Sequence, residues 1–207
     1  MNGADAVAPD IAGVSAWLAR LAGLSTGDER SDRTARAIRE SMVRTGVEGR
    51  AYRELLERDP VAFQDLIDRV TVGETHFFRQ AGHFELLRRR ILPGLLRDRP
   101  ASHRLQLWSA GCATGEEAYS IAIVLEELGL SDRSDVLGTD ISTSALHRAR
   151  QASYRPWSLR GVDEARRRRY FRAGGERFDL DPWLVEQVTF QPLNLIADPY
   201  PPPPPPP

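Results

Sequence analysis

The stretch that most constrains the fold is Leu105 to Gly129, "LQLWSAGCATGEEAYSIAIVLEELG", taken with "SDVLGTDIS" at Ser134 to Ser142. A short apolar run breaks into a loop of small residues, meets two adjacent acids and becomes a helix of good propensity from Glu116 to Leu128. A second apolar run then ends at Asp140, and "TSALHRARQAS" reads as another helix. Strand, helix, strand, helix with one crossover between the strands is the βαβ unit, whose strands lie parallel. The alternation predicts an α/β class with a doubly wound parallel sheet.

The flanks differ from this centre. From Ile11 to Val70 apolar residues recur at helical spacing, as in Val14, Leu18 and Leu21, then Tyr52, Leu55 and Leu56, then Phe63, Leu66, Ile67 and Val70. This predicts an all-helical domain over 11–72, preceded by a loose arm at 1–10, with "RDP" at Arg58 to Pro60 ending one helix and starting the next. A second domain is predicted over 73–200. It opens with a polar turn, and the helix after it carries Phe84, Leu87 and Ile91 on one side and breaks at Pro93. An insert at about 154–190 contains "YRPW", the arginine-rich "DEARRRRYF", and the strand-like "RFDL" and "VTFQPLNL". It reads as a small β subdomain with its own hairpin that returns the chain to the sheet at "VTFQPL". Seven prolines, 201–207, predict an extended polyproline II tail.

With Lys+Arg 28 against Asp+Glu 29, the net charge of −1 supplies no overall field to recruit nucleic acid or an acidic membrane. No apolar run of about 18 residues predicts membrane insertion, and the polar, acidic start is unlike a secretory signal. The one cysteine, Cys112, forbids an internal disulfide, so a cytoplasmic location is expected.

A helix that follows a parallel strand turns its free N–H groups toward the crevice over the strand's carboxyl end. Small residues at Ser109, Ala110, Gly111, Ala113 and Gly115 would let a ligand approach the backbone there. Two carboxylates, Glu116 and Glu117, would repel a pyrophosphate and welcome a cationic ligand; S-adenosylmethionine carries a sulfonium and an ammonium. Asp140, at the end of the next strand, is placed to accept both ribose hydroxyl hydrogens. Its distance of 29 positions from Gly111 exceeds the dinucleotide spacing of about 20 and argues against a nicotinamide-dependent oxidoreductase. The glycine pattern alone fits equally a tight turn between strand and helix.

The segments "VGETHFFRQAGHFELL", "LWSAGCATGEEAYSIAIVLEE", "VLGTDIS", "ALHRARQASYR", "RYF" and "VTFQPLNLI" follow one another in an order that resembles the CheR-type chemotaxis protein methyltransferases. The resemblance runs from about Ser31 to Tyr200 and implies an N-terminal helical domain joined to a Rossmann-like methyltransferase domain with a small β insert. It implies S-adenosylmethionine-dependent esterification of glutamate side chains on chemoreceptors. By position it makes Thr75, Arg79, Glu117, Asp140, Asn194 and Leu195 cofactor contacts, beside the backbone at Gly111, with Arg79 also the active-site cation. Gly73 stands where some members have asparagine, so that side-chain contact is missing. The β subdomain would match the one that in some members docks a receptor tail peptide. Members continue beyond the "LNLIADPYPP" equivalent into a strand with "CRNVLIYF"-like residues, so the expectation is a C-terminally truncated, incomplete methyltransferase domain. The alternative is a catalytically incomplete receptor-binding module.

Other features favour plainer roles. His76 and His83 lie seven positions apart with no third ligand at helical spacing, so a structural role is expected and no metal site. Cys112 reads as small-residue packing, and the run Arg166 to Arg169 as a solvated helix face. Arg33, Arg36, Arg39 and Arg44 could meet acidic receptor helices or simply be solvated.

Overall fold

The computed structural model describes residues 4–23, 28–71 and 73–196, and the proline run 201–207 lies outside them. The described residues divide into two compact units, one holding 4–23, 28–71, 141–143 and 194–196, the other 73–140 and 144–193.

The first unit is helical: α1 (Ala4–Ala22), α2 (Asp28–Thr45), α3 (Gly49–Arg58) and α4 (Pro60–Val70). Residues 4–10, expected to be a loose arm, continue α1 instead. Asp59 separates α3 from α4 as the "RDP" signal predicts: its carboxylate accepts from the Val61 and Ala62 amides at 2.8 and 3.2 Å, and Pro60 occupies the first turn. The core contains Leu18, Ile38, Tyr52, Leu66 and Ile67, all fully buried. Each such aliphatic side chain contributes about 1.5–3 kcal/mol through burial.

The second unit is built on a parallel three-stranded sheet of order β1-β2-β6, from β1 (Leu105–Ala110), β2 (Ser134–Asp140) and β6 (Val188–Pro192). Helix α7 (Glu116–Glu127) makes the crossover from β1 to β2, and α8 (Thr143–Gln151) follows β2. This is the parallel strand-helix-strand alternation read from the sequence, and the order β1-β2-β6, which runs one way among the described residues, corresponds to one half of a doubly wound sheet. Helix α7 is buried along most of its length, with Ala118, Tyr119, Ser120, Ala122, Ile123, Val124 and Leu125 in the interior. A β-carbon on Gly138 of β2 would lie 2.6 Å from Phe190 and 3.1 Å from Cys112, so β2 is bare there to seat the Phe190 ring.

The insert forms a separate antiparallel sheet of order β3-β5-β4, from β3 (Ser153–Tyr154), β4 (Phe171–Gly174) and β5 (Arg177–Leu180). Between β3 and β4 run a 3-10 turn (Pro156–Leu159) and α9 (Glu164–Tyr170). Helix α10 (Pro182–Glu186) then returns the chain to β6. The hairpin is β4–β5, and "VTFQP" rejoins the parallel sheet.

Two expectations need correction. Helix α5 (Ala81–Leu86) does not break at Pro93 but passes through a π-helical stretch (Leu87–Ile91) into α6 (Leu92–Leu96). The Leu92 amide bonds to the Leu87 carbonyl five residues back, and the wider turn accommodates a proline whose ring would clash with the carbonyl of a regular α-helix. The extra residue rotates the face inward, so Leu92 is buried while Ile91 is 44% exposed. The arginine run is a solvated face only in part: Arg168 and Arg169 are exposed, while Arg166 and Arg167 are half-buried. Arg166 pairs with Glu127 at 2.7 Å, Arg169 with Glu126 at 3.1 Å, and Arg167 lies 4.6 Å from the Phe178 ring centre.

Candidate cofactor site

The loop between β1 and α7 is shaped by the end of β2. The Thr139 carbonyl accepts from the amides of both Gly111 and Cys112, at 2.8 and 2.9 Å, and the Asp140 carboxylate accepts from the Ala113 amide at 2.8 Å. The backbone reverses at Gly111 (φ +75°), Ala113 (φ +48°) and Gly115 (φ +91°), a path that glycine adopts at least cost. A β-carbon at Gly115 would lie 3.0–3.2 Å from Ala149, Phe190 and Tyr119. At Gly111 it would meet nothing within 4 Å, so this backbone faces open space. Tyr154 of β3 ties the loop from the other side, its hydroxyl donating to the Thr114 carbonyl at 2.9 Å.

The two adjacent glutamates have different fates. Glu117 is exposed and is oriented by the Ser109 hydroxyl, which donates to it at 2.6 Å. Glu116 is 2% exposed and accepts from the Thr114 hydroxyl at 2.6 Å, so it braces the loop rather than facing the mouth. The expectation of paired carboxylates at the mouth is corrected to one, Glu117, with half-buried Asp140 at the neighbouring strand end. Cys112 is buried, and burial first, then the charge of Asp140, pushes its thiol up to about 12. The thiol is therefore neutral and inert at ordinary pH, in keeping with packing.

A second segment, 73–80, meets this loop. A β-carbon on Gly73 would lie 2.9 Å from that of Ala113, so glycine permits the close approach. Thr75 is half-buried, while Arg79 is exposed and donates from its guanidinium to the Glu74 carbonyl. Phe77 is fully buried, edge-on to Tyr154 and Phe171 with ring centres 4.8 and 4.9 Å apart, and its amide donates to the Ser158 carbonyl at 2.9 Å. The His76 ring Nδ1 accepts from the Arg160 guanidinium at 2.7 Å, and its pKa is lowered, chiefly by burial and then by the Arg160 charge. Thr75, Arg79, Gly111, Glu117 and Asp140 thus all lie on segments that converge around Ala113.

Asn194 and Leu195 group instead with the helical unit, where the Asn194 amide donates to the Leu21 carbonyl at 2.5 Å. The residue before them, Leu193, bonds its amide to the Asp140 carbonyl at 3.0 Å. Two residues gain a role that the sequence reading missed: the Ser109 hydroxyl as the orienter of Glu117, and Tyr154 as a tie on the loop. The first could have been found, since a serine closing an apolar strand is set to reach the first turn of the next helix; Tyr154 carries no local signal.

Residues 73–205 match the family described as the CheR methyltransferase, SAM binding domain. The chain belongs to the CheR methyltransferase family. The matched segment is its S-adenosylmethionine-binding domain, and S-adenosylmethionine is the cofactor. Among curated proteins, a chemotaxis protein methyltransferase of Klebsiella aerogenes is 38% identical over 155 residues, covering 70% of this chain and 51% of its own length. One from Borreliella burgdorferi is 32% identical over 72% of this chain and 56% of its own length. One from Listeria innocua is 30% identical over 70% and 55%. The chain spans about half the length of the curated relatives it matches. In this CheR-family domain an exposed carboxylate on Glu117, open backbone at Gly111 and the half-buried Asp140 lie at the ends of two neighbouring parallel strands. Among the described residues no helix is long and apolar enough to cross a membrane.

Proposed function

We propose that this chain carries the cofactor-binding and carboxylate-orienting part of a protein-glutamate O-methyltransferase acting on chemoreceptor-type proteins. The observation that supports it most is the position of Ala113, whose amide is bonded to Asp140 and whose methyl group abuts Gly73. One residue thus joins Asp140 at the end of β2 to the segment that carries Arg79.

S-adenosylmethionine supplies an electrophilic methyl group on a sulfonium sulfur. Glu117 and Asp140 would hold the cationic nucleoside, Asp140 through the ribose hydroxyls, with Thr75 and Gly111 as further contacts. The acceptor glutamate, with an ordinary pKa of about 4.3, is already an anion at neutral pH, so no general base is needed. The protein's task is to align carboxylate oxygen, methyl carbon and sulfur and to exclude water. Arg79 orients the incoming carboxylate, and a loose contact serves better than a tight ion pair, which would drain charge from the nucleophile. The neutral Cys112 thiol avoids placing a competing thiolate near the methyl donor. The substrate would be a chemoreceptor helix, with the β subdomain available to a receptor tail peptide.

Calorimetry with S-adenosylmethionine, followed by single-turnover transfer to a glutamate-bearing receptor helix, tests this reading. Arg79→Ala should slow transfer roughly 100-fold while changing cofactor affinity by no more than about threefold. Equal losses in both would refute the orienting role. Cofactor and receptor binding by the wild-type chain with no transfer would favour a receptor-binding module instead.

A further inference from the structure

Arg79 sits between two non-glycine residues in the left-handed region, Phe78 (φ +54°) and Gln80 (φ +62°). Each such residue costs about 1–2 kcal/mol, and the conformation persists only where the surroundings impose it. At Phe78 the surroundings are specific. Its amide donates to the Ser120 hydroxyl at 2.9 Å in a buried setting, and that hydroxyl donates in turn to the Glu116 carbonyl at 2.6 Å. Its ring lies 4.4 Å from the Arg166 guanidinium and meets Phe84 edge-on at 5.2 Å between centres. Arg166 is itself fixed by a two-pronged bond to Glu127, at 2.7 and 2.8 Å.

Ser120 and Glu127 both belong to α7, seven residues and therefore about 10 Å apart along its axis. This is the helix that begins at the cofactor loop. One brace reaches Phe78 directly through Ser120, the other through Glu127 and the arginine of α9. We infer that Ser120 and Arg166 are positioning residues that hold Phe78 in its left-handed turn, so that α7 sets where Arg79 lies relative to the cofactor loop. The inference rests on the proposed role of Arg79. A serine bonding back to its own helix would satisfy its hydroxyl without any outside partner; this hydroxyl also supplies the acceptor for a buried amide 42 residues earlier in the chain.

The test uses the full chain with Ser120→Ala, Arg166→Gln, Arg79→Ala and the two double variants that combine Arg79→Ala with each brace. Methyl transfer is followed at saturating S-adenosylmethionine, cofactor affinity by calorimetry and folding by thermal melting. Ser120→Ala should lower kcat about tenfold and Arg166→Gln about threefold, with cofactor affinity changed by less than about twofold. In the Arg79→Ala background neither should cause a further loss, because their effect passes through that side chain. Ser120→Thr, which restores the hydroxyl, should recover most of the rate. If the buried Ser120 variant fails to fold, Arg166→Gln, on a side chain 24% exposed, carries the same test. The same fold-loss in both backgrounds would overturn the positioning role and leave Arg79 standing. Unchanged transfer in Arg79→Ala would overturn the site reading, and the positioning role with it.

Discussion

The loop at 111–115 and the segment at 73–80 meet at Ala113 but are held by opposite means. The loop is fastened by its immediate neighbours in the sheet, with the Thr139 carbonyl and the Asp140 carboxylate taking three consecutive amides. The segment pairs with no strand among the described residues. It is fastened by parts of the insert and by α7: Ser158 on the Phe77 amide, Ser120 on the Phe78 amide, and Tyr154 and Phe171 around the Phe77 ring. A site built half from a sheet end and half from a segment clamped by an insert can lose one half while keeping the other.

The largest effect should come from the clamp. A β-carbon on Gly161 would collide with the Phe77 carbonyl, which is backbone and cannot swing aside. Gly161→Ala should therefore cost roughly 3 kcal/mol, at the upper end of overpacking penalties. Hydrogen exchange should show the damage where it falls, with faster exchange at the Phe77 and Phe78 amides and unchanged protection at Gly111 and Cys112. Loss of protection at all four together would mean that loop and segment are one cooperative element.

Gly115→Ala is the converse. It combines a φ of +91° with contacts of 3.0–3.2 Å to Ala149, Phe190 and Tyr119, for a cost of roughly 2 kcal/mol. In this variant the Gly111 and Cys112 amides should lose protection first while Phe77 and Phe78 keep theirs. Thermal melting of the two glycine variants ranks their costs, and a larger loss for Gly115→Ala than for Gly161→Ala would make the loop, not the clamp, the more tightly packed half.

This contrast also accounts for what is legible in the sequence. The loop, its flanking strands, Glu117 and Asp140 can be read because a βαβ unit is local: apolar runs, small residues and strand-end acids lie within about 40 positions of one another. Glu116 escapes such a reading because the side chain that claims it, Thr114, is set by the course of the loop and not by spacing. The segment is opaque for a deeper reason. Its partners Ser120, Tyr154, Ser158 and Arg166 are 42 to 88 positions away, as the residue numbers show, and no periodicity announces such contacts. The resemblance to CheR-type enzymes points to Arg79, yet it does not say what keeps Arg79 in place. The continuation of α5 through Pro93 is hidden likewise, since a π-helical turn leaves no compositional mark.

The two halves also carry titratable groups of opposite sensitivity, which provides the mildest test of the contrast. In the loop, the Cys112 thiol is raised from 9.0 to about 12 by burial. The unfolded chain loses that proton first, so this stability is present below about pH 9 and declines by at most about 1.4 kcal/mol per pH unit as pH rises toward 12. Melting temperatures between about pH 9 and 10 should fall less steeply in Cys112→Ala than in the wild type, the difference isolating the thiol from the slope that the tyrosines give to both proteins. In the segment, His76 is lowered from 6.5, chiefly by burial, and its neutral ring nitrogen is the natural acceptor for Arg160. The unfolded chain takes up that proton at the higher pH, so this contribution is present above 6.5 and is lost as pH falls below it. Because the ring is only partly buried and solvent screens its charge, the loss should stay below about 1 kcal/mol. Exchange at the Phe77 amide should quicken between about pH 6.5 and 5 relative to its intrinsic rate, and His76→Gln, which keeps an acceptor without the charge, should abolish that trend. A trend that survives in His76→Gln would place the acid-sensitive group elsewhere in the clamp.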